Sequence, residues 1–339
     1  MEENQLVKSV NAFQNKRVLI TGGLGFIGSN LAIHLVGLDA KITLIDSLIP
    51  EYGGNLFNIE PVKGSVAVNI ADVRDESSMN WLVKDQDYIF NLAGTLSHID
   101  SMKDPYTDLE INCRSQLTIL EACRKNNPDV KIVFSGTRGQ YGKAKYLPVD
   151  EKHPLEPTDV NGINNMAGEW YHILYNNVYG IRATSLRLTN TYGPRHQMKH
   201  SRQGYLNWFI RLAMDDETIT LYDDGKQLRD FNYVDDVVNA LLLSAALEEA
   251  DGEIFNLGSG QPISVKDSLT AVLDATRSGR MEQVPFPSDK KKIEVGDYYA
   301  DYGKIKRLLG WEPKIPFKAG LDKTVEYYRK HRNYYWNKT

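Results

Sequence analysis

Eight residues near the start of the chain have the spacing of a phosphate-binding turn: Thr21-Gly22-Gly23-Leu24-Gly25-Phe26-Ile27-Gly28. They satisfy G-x-G-x-x-G through Gly23, Gly25 and Gly28, and G-x-x-G-x-x-G through Gly22, Gly25 and Gly28. Glycines let such a turn tighten and bring backbone close to a pyrophosphate. The N–H groups that open the next helix, here at Phe26 and Ile27, then face the anion. An acidic residue, Asp46, follows Gly28 by 18 positions. Its carboxylate can accept hydrogen bonds from ribose hydroxyls and would repel a 2′-phosphate, so NAD is expected rather than NADP. Other reactive residue types form weaker patterns. His196 and His200 have the i, i+4 spacing of a helical chelate, but they follow Pro194-Arg195 in a loop with no third ligand in view, so no metal is expected. Cys113 and Cys123 sit ten residues apart in a helical pattern. That is about 15 Å of rise, too far for a disulfide, and both read as small buried hydrophobes.

The glycine turn needs a strand before it and a helix after it, and the pattern supplies both. Arg17–Thr21 is a short β-branched run, and Phe26–Val36 reads as a helix. Further strands are expected at Lys41–Asp46, Val66–Asn69, Asp87–Leu92, Val130–Ser135 and Arg182–Leu188. Helices are expected over 106–125 and 162–178. This alternation of apolar strands with helices predicts an α/β fold: a Rossmann-like, doubly wound parallel sheet covered on both faces. After Tyr192-Gly193-Pro194 the rhythm breaks. Residues 195–232 and 259–339 read as a smaller, non-contiguous substrate domain. Residues 1–194 and 233–258 form the dinucleotide-binding domain, because a helix from Val234 and a strand at 253–257 return to the main sheet.

Composition narrows the function classes. Of 339 residues, 42% are apolar and 25% charged, which suits a globular chain large enough for two joined domains. The net charge of −4 argues against nucleic acid, which requires a basic face. Lys290-Lys291-Lys292 is the most basic run and reads as a solvated loop, with a phosphate contact through Lys291 or Lys292 as the alternative. The polar N-terminus lacks a secretory pattern, and the longest apolar run, Ala240–Leu247, is far shorter than the roughly 20 residues a membrane span needs. A cytoplasmic protein that does not bind membranes is expected.

With these residues placed, the chain resembles the extended short-chain dehydrogenase/reductase family, and within it the NAD-dependent nucleotide-sugar epimerases and dehydratases. The resemblance rests on several further segments. Asp72-Val73 matches the segment at the adenine edge. Asn91-Leu92-Ala93-Gly94, with Asn112, matches the path of backbone beneath the cofactor. Arg187-Leu-Thr-Asn190-Thr-Tyr-Gly-Pro194, Arg229-Asp-Phe-Asn-Tyr-Val-Asp-Asp236 and Gly310-Trp-Glu-Pro313 match three later motifs. The resemblance implies a nucleotide-diphosphate sugar as substrate, held by Asn190, by Asn207 and Trp208, and by Arg229 on the diphosphate. His98 and Arg138 fall on the sugar side. It also implies a homodimer built on the helices near 106–125 and 162–178.

Members of this family take the proton from a sugar hydroxyl with a tyrosine, aided by a lysine four residues later and by a serine or threonine. Thr137 matches the hydroxyl. The tyrosine and lysine positions fall on Asn161 and Asn165, which can accept no proton near neutral pH and carry no charge. Asn165 also falls where the lysine would hold the nicotinamide ribose. Two other tyrosine–lysine pairs have the spacing, Tyr141 with Lys145 and Tyr302 with Lys306. Arg138-Gly139 stands where dehydratases carry Asp-Glu, which favours epimerase-like chemistry over water elimination. Candidates for a substitute proton carrier are His98, Asp100, Tyr141 and Asp159. Three readings stay open: an epimerase-like enzyme with an altered acid–base site, a dehydrogenase that stops at the keto-sugar, and a catalytically silent binder of NAD and nucleotide sugar.

Overall fold

The computed structural model describes residues 11–49, 51–287 and 295–336. Lys290, Lys291 and Lys292 lie outside these residues.

Seven parallel strands make the main sheet: β1 (Arg17–Thr21), β2 (Lys41–Asp46), β3 (Val66–Ile70), β4 (Tyr88–Asn91), β5 (Lys131–Thr137), β6 (Arg182–Leu188) and β7 (Ile254–Asn256). Their order is β7-β6-β5-β4-β1-β2-β3. That is the 3-2-1-4-5-6 order of a doubly wound dinucleotide fold, with one strand added beyond β6. Each parallel pairing needs a crossover, so helices cover both faces and the central strands are buried throughout: Val18, Leu19 and Ile20 of β1 are fully buried. Connections change direction between β1 and β4. A crevice opens there at the carboxyl ends of the strands, and the glycine turn follows β1 directly into helix α1 (Phe26–Val36).

Two long helical segments frame the other side of the crevice. Pro105–Leu109 and α2 (Ser115–Asn126) run on from each other through a π turn at Glu110–Arg114. A plain helix was expected over this span. The turn widens where Ser115 and Gln116 both donate to the Ile111 carbonyl and the Asn112 amide leaves the helix to hold Thr95. Helix α3 (Val160–Tyr179) starts two residues earlier than its pattern indicates, because the Asp159 carboxylate caps it by accepting the Gly162 N–H at 2.8 Å. It stops at Gly180, whose φ of 72° turns the chain left-handed. Strand β4 is shorter than expected. Asp87 instead uses its carboxylate to accept from the Arg17 N–H and the Lys16 ammonium. The outer faces of these helical segments leave apolar side chains exposed, among them Tyr106, Leu109, Trp170, Leu174 and Val178.

Helix α4 (Val234–Ala246) and β7 return to the main sheet as expected. Around them the irregular segments pair into three small sheets. Thr218–Tyr222 pairs with Arg280–Val284, Leu228–Arg229 with Ile263–Ser264, and Asn190–Tyr192 with Phe231–Tyr233. These sheets set one wall of a cavity whose other wall is the carboxyl end of the main sheet. Among the described residues no helix is long and apolar enough to cross a membrane.

Candidate active site

A cavity of about 760 Å³ runs from the glycine turn to Arg229 and Tyr222. At its first end, Gly22 takes a φ of 66°, and a Cβ on Gly28 would run into the Gly22 carbonyl oxygen. Only glycine lets the turn and α1 pack this closely. Gly25 begins α1 with no side-chain cap, so the N–H groups at Phe26, Ile27 and Gly28 are not taken by a side chain. The Asp46 carboxylate is pinned at the end of β2 by the Leu24 and Leu48 N–H groups at 3.1 and 2.9 Å. Burial pushes its pKa up, and those two N–H bonds oppose the shift. Asp72 and Val73 line the cavity farther along. Arg74 bonds Asp72 in a fork and holds that carboxyl below the ordinary range. The Thr21 hydroxyl accepts the Leu92 and Ala93 N–H groups, which fixes the backbone that carries Gly94 past the cavity. An uncapped helix start, a glycine floor and a carboxylate at the far end fit a dinucleotide.

Asn112 does not line this cavity. Its amide donates to the Thr95 hydroxyl at 2.6 Å and its oxygen accepts the Thr95 N–H at 2.9 Å, beneath Gly94. Asn161 is likewise buried off the cavity. It donates to the Thr95 carbonyl at 2.8 Å and to Asp108 at 3.0 Å. The buried Asp108 carboxylate also accepts from Thr95, Asn112 and Asn164. Nothing in the sequence singled out Asp108, although its i, i+4 spacing to Asn112 was a usable signal. Asn165 does line the cavity, and its amide turns back to the Asn161 carbonyl at 2.9 Å.

Beside Asn165 the cavity is lined by Thr137, Arg138, His98 and Asp159. Thr137 ends β5, and its hydroxyl accepts the Gly139 N–H at 3.1 Å. His98 Cε1 and the Thr137 hydroxyl lie 3.3 and 3.4 Å from the point that a Cβ on Gly139 would fill, so both border the space this glycine leaves. His98 Nδ1 lies 2.6 Å from Asp159 Oδ2. Burial pushes the Asp159 carboxyl up, but the His98 bond and charge, the Gly162 N–H and the Arg138 charge together hold it below the ordinary value. Arg138 lies over the Tyr298 ring at 4.8 Å.

The other expected proton carriers lie elsewhere. Tyr141 is fully buried and bonded to Asn256 and Arg187, and burial pushes its phenol up to about 12, so it does not reach the cavity. Asp100 is paired with Arg202. Neither alternative tyrosine–lysine pair forms a site. Lys145 pairs with Glu156, while Tyr302 packs on Trp311 and Lys306 pairs with Glu312. His196 and His200 are not on a helix. His196 Nδ1 meets the Gln197 carbonyl and His200 Nε2 the Glu51 carbonyl. Both cysteines are free, and burial pushes their thiols up.

At the far end, Asn190 donates to the Asp230 carbonyl at 3.0 Å and faces the cavity. Asn207 and Trp208 enter from the helix Tyr205–Met214, and the buried Asn207 Oδ1 has no hydrogen-bond partner among the described residues. The Arg229 guanidinium is steadied by the Leu228 and Gly296 carbonyls. Tyr222 and Phe286, whose rings lie 5.1 Å apart, close this end, and no sequence motif points to either.

Residues 18–258 match the NAD dependent epimerase/dehydratase family. The chain belongs to that family. Its cofactor is NAD. A putative UDP-glucose 4-epimerase of Methanocaldococcus jannaschii is 34% identical over 93% of this chain and 99% of its own length. An epimerase of Methanothermobacter thermautotrophicus has the same fold, with a TM-score of 0.91 at 25% identity, covering 98% of each chain. A Thermotoga maritima UDP-glucose 4-epimerase solved with UDP-glucose gives 0.84 at 32% identity, over 93% of this chain and 99% of the other.

Proposed function

We propose that this protein is an NAD-retaining enzyme that modifies a UDP-sugar in the manner of an epimerase, by reversible hydride transfer at a ring carbon. One observation carries the reading: a single cavity joins the glycine turn and Asp46 to Asn190, Asn207 and Arg229, with Thr137 and Asn165 between them. NAD, when bound, supplies a reversible hydride acceptor. The chain's own residues do the rest. Gly22, Gly25, Phe26, Ile27 and Gly28 hold the pyrophosphate, Asp46 the adenosine ribose, and Asp72 and Val73 the adenine edge. Leu92, Ala93 and Gly94 form the floor, which Asn112 supports from beneath. Arg229 binds the sugar diphosphate as a bidentate cation. Asn207 and Trp208 take the nucleotide, and Asn190, His98 and Arg138 the sugar side. Thr137 bonds the reacting hydroxyl. Asn161 and Asn165 stand where relatives would use a tyrosine and a lysine, so the acid–base apparatus is altered. Arg138-Gly139 in place of Asp-Glu disfavours water elimination.

The NAD-binding part comprises 1–194 with 233–258, and the nucleotide-sugar part 195–232 with 259–339. The exposed apolar face of Pro105–Asn126 and α3 suits a homodimer, and the enzyme works in the cytoplasm. The test mixes purified protein and NAD with UDP-, GDP-, CDP- and dTDP-sugars and follows both absorbance at 340 nm and product by sugar NMR. An epimer from a UDP-sugar is the expected result. A keto-sugar would replace epimerisation with simple dehydrogenation, and binding without any product would replace catalysis with a binding role.

A further inference from the structure

Removing hydride from a carbinol carbon requires its hydroxyl proton to leave. Thr137 can relay a proton but is no base. The amides of Asn161 and Asn165 are no bases either. Tyr141 is locked in the interior.

His98 and Asp159 lie beside Thr137 in the cavity wall. They stand 61 positions apart in sequence and 2.6 Å apart in space. Asp159 is fixed by its other oxygen, which caps α3 through the Gly162 N–H. With Oδ2 accepting from Nδ1–H, the neutral form of the imidazole presents Nε2 as its acceptor. The His98 side chain stays 46% exposed in the cavity wall while Asp159 is only 7% exposed. An accessible imidazole oriented by a buried carboxylate and next to a hydroxyl is the arrangement that activates hydroxyls in unrelated enzymes. Arg138 lines the same cavity and adds positive charge that acts on Asp159.

We propose that His98 is the catalytic base of the reaction set out above, on which this inference rests, and that Asp159 is its positioning residue. The sugar O–H bond breaks and its proton forms a bond to His98 Nε2. The oxygen's electron pair closes the C=O bond as the carbon gives up its hydride to NAD. The imidazolium is held by Asp159. Return of hydride to the carbon and of the proton from Nε2 to oxygen restores every group.

The test uses full-length, NAD-loaded protein with ¹⁵N-labelled histidine, His98→Asn for resonance assignment, and UDP or UDP-glucose as probe at one fixed pH. A base that touches the sugar shifts its Nε2 resonance with UDP-glucose and not with UDP. His98→Asn lowers turnover by about 10²- to 10⁴-fold while UDP affinity, read by calorimetry, stays within about threefold. Asp159→Asn keeps the helix cap, since asparagine caps well, yet lowers turnover and moves the Nδ1 resonance. The proposal is overturned if Nε2 responds equally to UDP and UDP-glucose, or if His98→Asn keeps a tenth or more of wild-type turnover with binding intact. If no product forms from UDP-glucose, the Nε2 response decides alone. If wild type binds neither probe, the nucleotide-sugar reading itself falls and the base falls with it. That outcome differs from failure of the base alone, in which binding and turnover survive.

Discussion

Acid should destabilise this protein through His172, a residue that does not line the cavity. The ring is fully buried and stacks on Phe134 at 4.5 Å. Its Nδ1 bonds the Gly168 carbonyl at 2.8 Å, and Nε2 meets the Asn91 amide nitrogen at 3.3 Å. Neutral imidazole satisfies both, donating from Nδ1 and accepting at Nε2. A second proton would set N–H against N–H at a fully buried ring. Burial accordingly lowers its pKa to about 4, with the Gly168 bond opposing. The unfolded chain binds that proton near pH 6.5. Between these values the unfolded state holds more protons, so stability is full above about pH 6.5 and drains away as pH falls toward 4. At pH 5 the loss is about 2 kcal/mol, from roughly 1.4 kcal/mol per pH unit over the one and a half units below the unfolded value. His172→Gln removes the titration. Urea unfolding of both proteins at pH 7.5 and 5, at one protein concentration, isolates the term: the pH-dependent loss should be about 2 kcal/mol smaller in the variant, whatever the substitution costs at neutral pH. Parallel losses in the two proteins would refute the reasoning, because they would mean that folding does not alter the ring's proton affinity.

Three further outcomes follow from geometry. Gly28→Ala places a methyl against the Gly22 carbonyl; opening the turn costs about 1–3 kcal/mol, and NAD affinity by calorimetry should fall about tenfold to a hundredfold. Glu169→Gln leaves the Arg187 guanidinium, now 2.6 Å from that carboxylate, without its buried counter-charge, and should cost about 3–5 kcal/mol in denaturant unfolding. Trp170→Arg on the exposed face of α3 should turn the expected dimer into a monomer by analytical ultracentrifugation without altering the far-UV circular dichroism spectrum.

The scaffold was readable because its signals are local. Each main-sheet strand is a short apolar run, and the glycine turn joins the first of them to a helix within eight residues. Asp46 was readable for the same reason, as the last residue of a strand at a set distance from that turn. The reaction centre was not readable in this way. His98 and Asp159 were each visible as proton carriers, but their pairing depends on how the His98–Lys103 helix packs against the start of α3, which no local pattern encodes. Tyr141 looked equally reactive and proves to be a buried strut, because the sheet carries Arg187 and Asn256 to its hydroxyl from positions more than forty residues away. Asn161 misled in the opposite sense. Its place in the motif suggested a role at the reacting hydroxyl, whereas its amide is occupied by Thr95 and Asp108. The π turn leaves no mark on the apolar repeat, because it depends on side chains drawn off the helix ladder.

Strand β7 enters the sheet only after the chain has already gone out to build Thr218–Tyr222 and Leu228–Arg229, and the chain then goes out again for Ile263–Ser264 and Arg280–Val284. The cavity wall opposite the main sheet is thus stitched from two lengths of chain that pair across the returning strand. It cannot be excised or traded as a cassette: a graft from a relative would need three cuts and three new joins, with the helix from Val234 and strand β7 kept between them. Changing what this enzyme accepts is therefore a matter of replacing side chains along the cavity wall one at a time, on a backbone that stays whole.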